Sequence, residues 1–305
     1  MNRILTFALL LLLSPAAFSQ ALLDCDALAN SAGAEPPGYA WQCGSQEVPM
    51  APIPWLTTPA AAGNLAFAYN MGEFSGTQQG LHAYLVGDLG TATLLGNPST
   101  SLFFAMDFDP TGTTLYAIRE TTPRQLGTLD TSDGSFTQIA ELGGTGNEQV
   151  TGLAIDPISG VAYLSTAHGN NGTLYTLDLA TGEASPIGDF GVHLMIDIAM
   201  NCRGELYGHS IDEDALYSID PATGVATLIG DSGINANFAQ GMDFNNADGK
   251  LYAAVYFGGG NYVYGTFNLQ TGELDPLGSN DLRGEWEIAI PATCSQIFEN
   301  GFESP

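Results

Sequence analysis

Three observations in the sequence predict an all-β fold assembled from repeated four-stranded units. The phrase "LYSIDPATGVATLIGDSG", residues 216–233, reads as strand, Asp-to-Gly turn, strand, and it recurs. Copies begin at Leu174, Val263, Leu126 and Ala83, and their turn glycines (Gly90, Gly134, Gly182, Gly224, Gly272) are spaced 44, 48, 42 and 48 residues apart. Each unit also carries an earlier strand pair. Its first strand is "AMDFDP" at Ala105, "GLAIDP" at Gly152, "DIAMNC" at Asp197 or "GMDFNN" at Gly241, and its second carries Tyr116, Tyr163, Tyr207 or Tyr252 in register. Alternating apolar positions mark strands, and a period in the forties marks a propeller or a solenoid. Finally, the two ends complement each other. The first unit, from "NLAFAY" at Asn64, lacks a first strand, whereas "EIAIP" at Glu287–Pro291 is a first strand with nothing after it.

Within each unit the four strands, a to d, are joined by short hairpins with no helical-period segment between them, which is the pattern of a propeller blade. The a–b turns run from Asp109 to Gly112, Asp156 to Gly160, Asn201 to Gly204 and Asn245 to Gly249. Asp and Asn side chains hold nearby amides, and glycine accepts the positive φ, so these acids read as turn formers. The prediction is a five-bladed propeller, four blades continuous and one completed by the C-terminal strand, which removes the open sheet edge. A sixth blade within residues 21–63 is the alternative, but "AEPPGY" and "PMAPIPW" are too proline-rich for internal strands.

These units resemble the blades of secreted bacterial β-propeller proteins with LYxIDPxTGxxTxIG-type repeats, a functionally mixed group near the quinoprotein-like and WD-repeat propellers. The resemblance covers about residues 64–291 and implies the fold, not a chemistry. The ending "IFENGFESP" resembles the IFxxGFE tails of many exported gammaproteobacterial proteins.

The expected organisation is a signal peptide (1–19), a disulfide-stapled lead (20–63), the propeller (64–291) and a tail (292–305). Arg3, the apolar run Ile4–Leu13 and the small residues Ala17 and Ser19 carry the first assignment. The apolar run is about half the ~20 residues of a membrane span. Loss of the leader leaves five basic against 33 acidic residues, a formal charge of −28. That field repels nucleic acid and anionic membranes. Four cysteines without CxxC spacing suit two disulfides in an oxidising compartment, Cys25–Cys43 and Cys202–Cys294. The second bond would tie the closing strand to the a–b turn of the fourth unit.

No catalytic motif is present: GxSxG, HExxH, a P-loop and a dinucleotide fingerprint are all missing. Function is therefore expected on the longer, variable b–c and d–a loops. Candidate binding residues there are Glu120, His168, His209 and Asp212 from b–c loops, and Glu148, His193, Arg283 and Glu285 from d–a loops. The expected activity is that of a secreted, monomeric binding or scaffold propeller for a glycan, peptide or protein. The alternative is an extracellular hydrolase or lyase working at the channel mouth with acids and His. Asp197 and Glu287 open their strands at that mouth. Oxygen ligands without thiolates point to calcium as the cation such a pair would take, against the plainer reading of a hydrated acidic channel.

Overall fold

A computed structural model describes residues 65–72, 77–167, 172–237, 240–278, 282–291 and 294. The signal peptide, the lead with Cys25 and Cys43, His168 and most of the tail lie outside the described residues.

Among the described residues, twenty strands form five four-stranded antiparallel sheets, the blades of a five-bladed β-propeller. Blade 1 contains β1 (Leu65–Asn70), β2 (Gly80–Leu85) and β3 (Asp88–Leu94). Blade 2 runs from β4 (Phe103–Phe108) through β5 (Leu115–Arg119) and β6 (Gln125–Leu129) to β7 (Phe136–Glu141). Blade 3 comprises β8 (Gln149–Ile155), β9 (Ala162–Ala167), β10 (Thr173–Leu177) and β11 (Ala184–Asp189). Blade 4 comprises β12 (Met195–Met200), β13 (Leu206–Ser210), β14 (Ala215–Ile219) and β15 (Ala226–Asp231). Blade 5 comprises β16 (Gly241–Asn245), β17 (Lys250–Gly258), β18 (Asn261–Phe267) and β19 (Leu274–Pro276). The last strand, β20 (Trp286–Ala289), pairs antiparallel with β1 and completes blade 1, with Ala68 opposite Ile288 and Tyr69 opposite Glu287.

The repeated phrases take one register. Asp107, Ala154, Ala199 and Asp243 on strand a face Tyr116, Tyr163, Tyr207 and Tyr252 on strand b. Those tyrosines in turn face Thr128, Thr176, Ser218 and Thr266 on strand c. The a–b turns close as their sequence implies: the amides of Gly112, Gly160, Gly204 and Gly249 bond the carbonyls of Asp109, Asp156, Asn201 and Asn245 at 2.8–3.0 Å.

Burial divides into five apolar clusters, one at each interface between neighbouring blades. A strand of a radial sheet has its two faces against two different blades, so alternating side chains feed two successive clusters. Trp286 and Ile288 go one way, into the cluster shared with Tyr252 and Tyr264 of blade 5. Ala289 goes the other way, into the cluster of blades 1 and 2.

The c–d turns seat on the end of strand d of the preceding blade. A Cβ on Gly230 would lie 1.9 Å from the Thr271 carbonyl oxygen, and one on Gly272 would lie 2.3 Å from the Gly230 oxygen. Gly188 and Gly224 repeat that mating one blade earlier. Thus the "TG" and "IG" of the repeated phrase are the two halves of an interblade joint. Three equivalent hydrogen bonds reinforce it: Ala184 to Gly143 (3.1 Å), Ala226 to Phe190 (3.1 Å) and Leu274 to Ser232 (3.0 Å), amide to carbonyl.

The predicted Cys202–Cys294 disulfide is present, with a Cα–Cα distance of 5.6 Å. It links the a–b turn of blade 4 to the chain just past β20, across the ring's closing point.

Candidate functional site

At the propeller axis each sheet presents strand a as an edge, whose inward amides have no neighbouring strand. Four buried carboxylates take up several of them. Asp107 accepts from Ile155, Asp197 from Met242 and Asp243 from Ile290, each the amide of the next blade at 2.6 Å. Their other oxygens accept from Phe108, Ile198 and Phe244, the amides that follow in their own strands. Glu287 reaches the Met106 amide of blade 2 at 3.2 Å, and its Oε2 has no partner among the described residues. Blade 3 carries Gly152 and Ala154 in place of acids. A Cβ at Gly152 would sit 2.4 Å from Asp197 Oδ1, so glycine is what lets that carboxylate fit.

Asp197 and Glu287 therefore do not stand at an open rim. Each is 1 % exposed, with its side chain directed sideways into the adjoining blade. Burial is the main cause that raises all four acids above the ordinary carboxylate range, Asp107 to about 7. Mutual repulsion adds to it, from Asp197 on Glu287 and from Asp107 on Asp243. Among the described residues, no three His, Cys, Asp or Glu side chains are grouped so as to hold a metal ion. The carboxylates join blades.

The loop end is different. Arg124, after the cis Thr122–Pro123 peptide, donates from Nε to Glu120 at 2.7 Å, and both side chains are under one-fifth exposed. Its Nη1 reaches the Glu148 carbonyl of the next loop at 2.8 Å, and Gln149 Nε2 returns to Glu120 Oε2 at 3.1 Å. The Glu148 carboxylate accepts from Thr166 (2.5 Å) and Tyr175 (3.1 Å). Burial raises the Tyr175 pKa, and its bond to Glu148 raises it further. One connected polar network thus braces the b–c and d–a loops of blades 2 and 3. The sequence reading named Glu120 and Glu148 but missed Arg124, Gln149, Thr166 and Tyr175. Only the "R" four residues after Glu120 hinted at a partner.

On blade 4, His193 and Asp212 come together, with Nδ1 and Oδ2 3.3 Å apart and both side chains about half exposed. Glu213 beside them accepts from Tyr217. Two candidates move inward. His209 is not a loop residue but belongs to β13, opposite Asp197, and is 1 % exposed. It packs on Phe267 and meets Gln240 Oε1 at 2.6 Å, and burial pushes its pKa down to about 4. Glu285 is 5 % exposed and is held beside Asn70 through its amide, whereas Arg283 is exposed.

The profile of one protein family, described as a repeat of unknown function (DUF6923), matches residues 87–273, more than half of the chain. The chain belongs to this family. The DUF6923 match begins in the c–d turn of blade 1 and ends in that of blade 5. Several solved structures are similar. A nidogen/laminin complex aligns with 14 % identity and a TM-score of 0.46, over 72 % of this chain and 79 % of that one. TolB from Acinetobacter baumannii aligns with 15 % identity and a TM-score of 0.46, over 75 % and 56 %. A protein of unknown function from Bacteroides caccae aligns with 12 % identity and a TM-score of 0.39, over 68 % and 71 %. No curated protein matches.

Proposed function

We propose that this DUF6923 chain is an exported, monomeric binding propeller that engages a basic peptide or protein surface through its loop end. One observation carries the reading: the braced network of Glu120, Arg124, Glu148 and Gln149, which holds loops of two blades in a fixed arrangement before any partner arrives. Pre-ordered loops lower the entropy lost on association. The accessible His193–Asp212 pair and Glu213 extend an acidic surface on a chain of formal charge −27. Such a field steers cationic partners and repels anionic ones. Export is supported by the leader-like N-terminus and by a disulfide, which persists in oxidising compartments.

The hydrolase or lyase reading requires Asp197 and Glu287 to meet a substrate, whereas both are buried against the backbone of the next blade. The deciding experiment sets an array of lysine- and arginine-containing peptides beside a neutral glycan array, with product analysis on the glycans. Saturable peptide binding that weakens with salt and falls about tenfold in His193→Ala/Asp212→Ala supports the proposal. Glycan binding alone, or turnover, overturns it.

A further inference from the structure

We propose that the interface between blades 1 and 2 holds a second binding site, for a small hydroxylated carboxylate of the size of one uronic acid. A cavity of about 340 Å³ lies there, lined by the loop after β3, the c–d turn of blade 2, Arg119 and Phe136. None of the braced loop residues lines it, so the inference is independent of the loop-end proposal. Its volume is at the small end of the roughly 300–1,000 Å³ of ligand pockets, room for one compact molecule.

Arg119 defines the chemistry. The guanidinium lies over the Phe136 ring, 4.5 Å from its centroid. Nε donates to Gln125 Oε1 at 2.9 Å, and Nη2 donates to the same oxygen. Aromatic face and amide together fix the group's plane. The Nε edge is thereby taken, and the fork between Nη1 and Nη2 keeps its remaining hydrogens. That fork is the edge on which a carboxylate is held by two parallel bonds. No carboxylate pairs with Arg119 among the described residues, although the chain has 33 acidic residues. Arg124 and Arg203, by contrast, each bind a glutamate.

The remainder of the cavity suits hydroxyl groups. Asn97, Ser99 and Ser135 line it with Asp133, whose Oδ1 accepts the Ser135 amide at 2.9 Å and whose Oδ2 can take a ligand hydroxyl. The floor is fixed: Phe103 is 1 % exposed, and the Ser101 carbonyl is held by Tyr69 (3.0 Å) and Gln79 (2.7 Å). A monoanion fits better than a phosphate, because a second charge meets the field of the whole acidic chain and has no second cation here. Hydroxyls set a sugar acid apart from a peptide C-terminus, which would leave the serines and Asp133 facing apolar groups.

Calorimetry and ligand-observed NMR on the full-length protein would use galacturonate, galactose and N-acetylalanine as probes. Galacturonate should bind and the other two should not. Binding should weaken about tenfold in Arg119→Lys, which keeps the charge but loses the fork, and disappear in Arg119→Met. If Arg119→Met does not fold, Arg119→Lys and the wild type still decide. The proposal is overturned if galacturonate does not bind the wild type, if N-acetylalanine binds as well, or if Arg119→Lys leaves affinity unchanged. The loop-end variant His193→Ala/Asp212→Ala should bind galacturonate like the wild type, which separates failure of this site from failure of the other.

Discussion

Removing residues 284–305 tests how the ring is closed. The deletion takes away β20 and with it Trp286 (0 % exposed), Ile288 (0 %) and Ile290 (5 %). A buried side chain of that kind contributes ~1.5–3 kcal/mol, so three contribute roughly 4–9 kcal/mol before strand pairing is counted. Lost as well are the pairing from Phe67–Ala289 to Asn70–Trp286, the Glu287 cap on blade 2 and the Cys202–Cys294 bond. A native domain is stable by only ~5–15 kcal/mol, so the deletion is of the same size as the whole margin. It also uncovers the edge of β1, "LAFAYN", an apolar strand of the kind that pairs with other chains. The truncated protein should therefore fail to be secreted or aggregate, measured by soluble yield, size-exclusion chromatography and thermal unfolding. A soluble monomeric truncation that unfolds in one cooperative transition would show that closure does not depend on this strand.

The interblade joint should be intolerant of a single methyl. Gly230→Ala puts a carbon 1.9 Å from the Thr271 oxygen and should cost ~1–3 kcal/mol by denaturant unfolding, whereas Gly146→Ala, with nothing within 4 Å, carries only the positive-φ penalty of about 1 kcal/mol. Equal losses would refute the joint. Asp107 should make stability pH-dependent. Its pKa is raised on folding, so its contribution is complete in acid and is lost as pH rises through about 7. Asp107→Asn does not titrate and loses one of two amide acceptors. The wild type's advantage over it should be largest near pH 4 and shrink, by no more than roughly 4 kcal/mol, towards pH 8; a constant or widening gap refutes the assignment. Cys202→Ser/Cys294→Ser should lower stability by about 2–4 kcal/mol without altering the strand content seen by circular dichroism, and an unchanged melting temperature would show that the bond is dispensable.

Much of the architecture was legible in local patterns. Alternation, turn residues and a period in the forties are properties of one blade, and each blade repeats them at the same register. The missing first strand before Asn64 and the surplus one at Glu287 predicted the closure, because an unpaired edge demands a partner. The same arithmetic placed Cys202 near Cys294.

What the pattern could not supply was what lies beside each blade. Asp107 and Asp243 stand in "AMDFDP" and "GMDFNN" as unexplained acids within buried strands, and only the neighbouring blade's unpaired amides explain them. His209 read as a candidate binding residue on a b–c loop, yet β13 continues through it and blade 5 covers it with Phe267. Asp197 and Glu287 looked like a converging rim, whereas the sheet's pleat turns their side chains from the axis into the next blade. Arg119 and Phe136 are 17 positions apart and carry no motif, and they meet because Phe136 lies along its sheet over Gly127. Local sequence determined the blade, since hydrogen bonding and alternation act within it. Tertiary structure decided the carboxylate joints and the braced loops, since these are made between blades, where residues distant in the chain compete for the same amides and the same space.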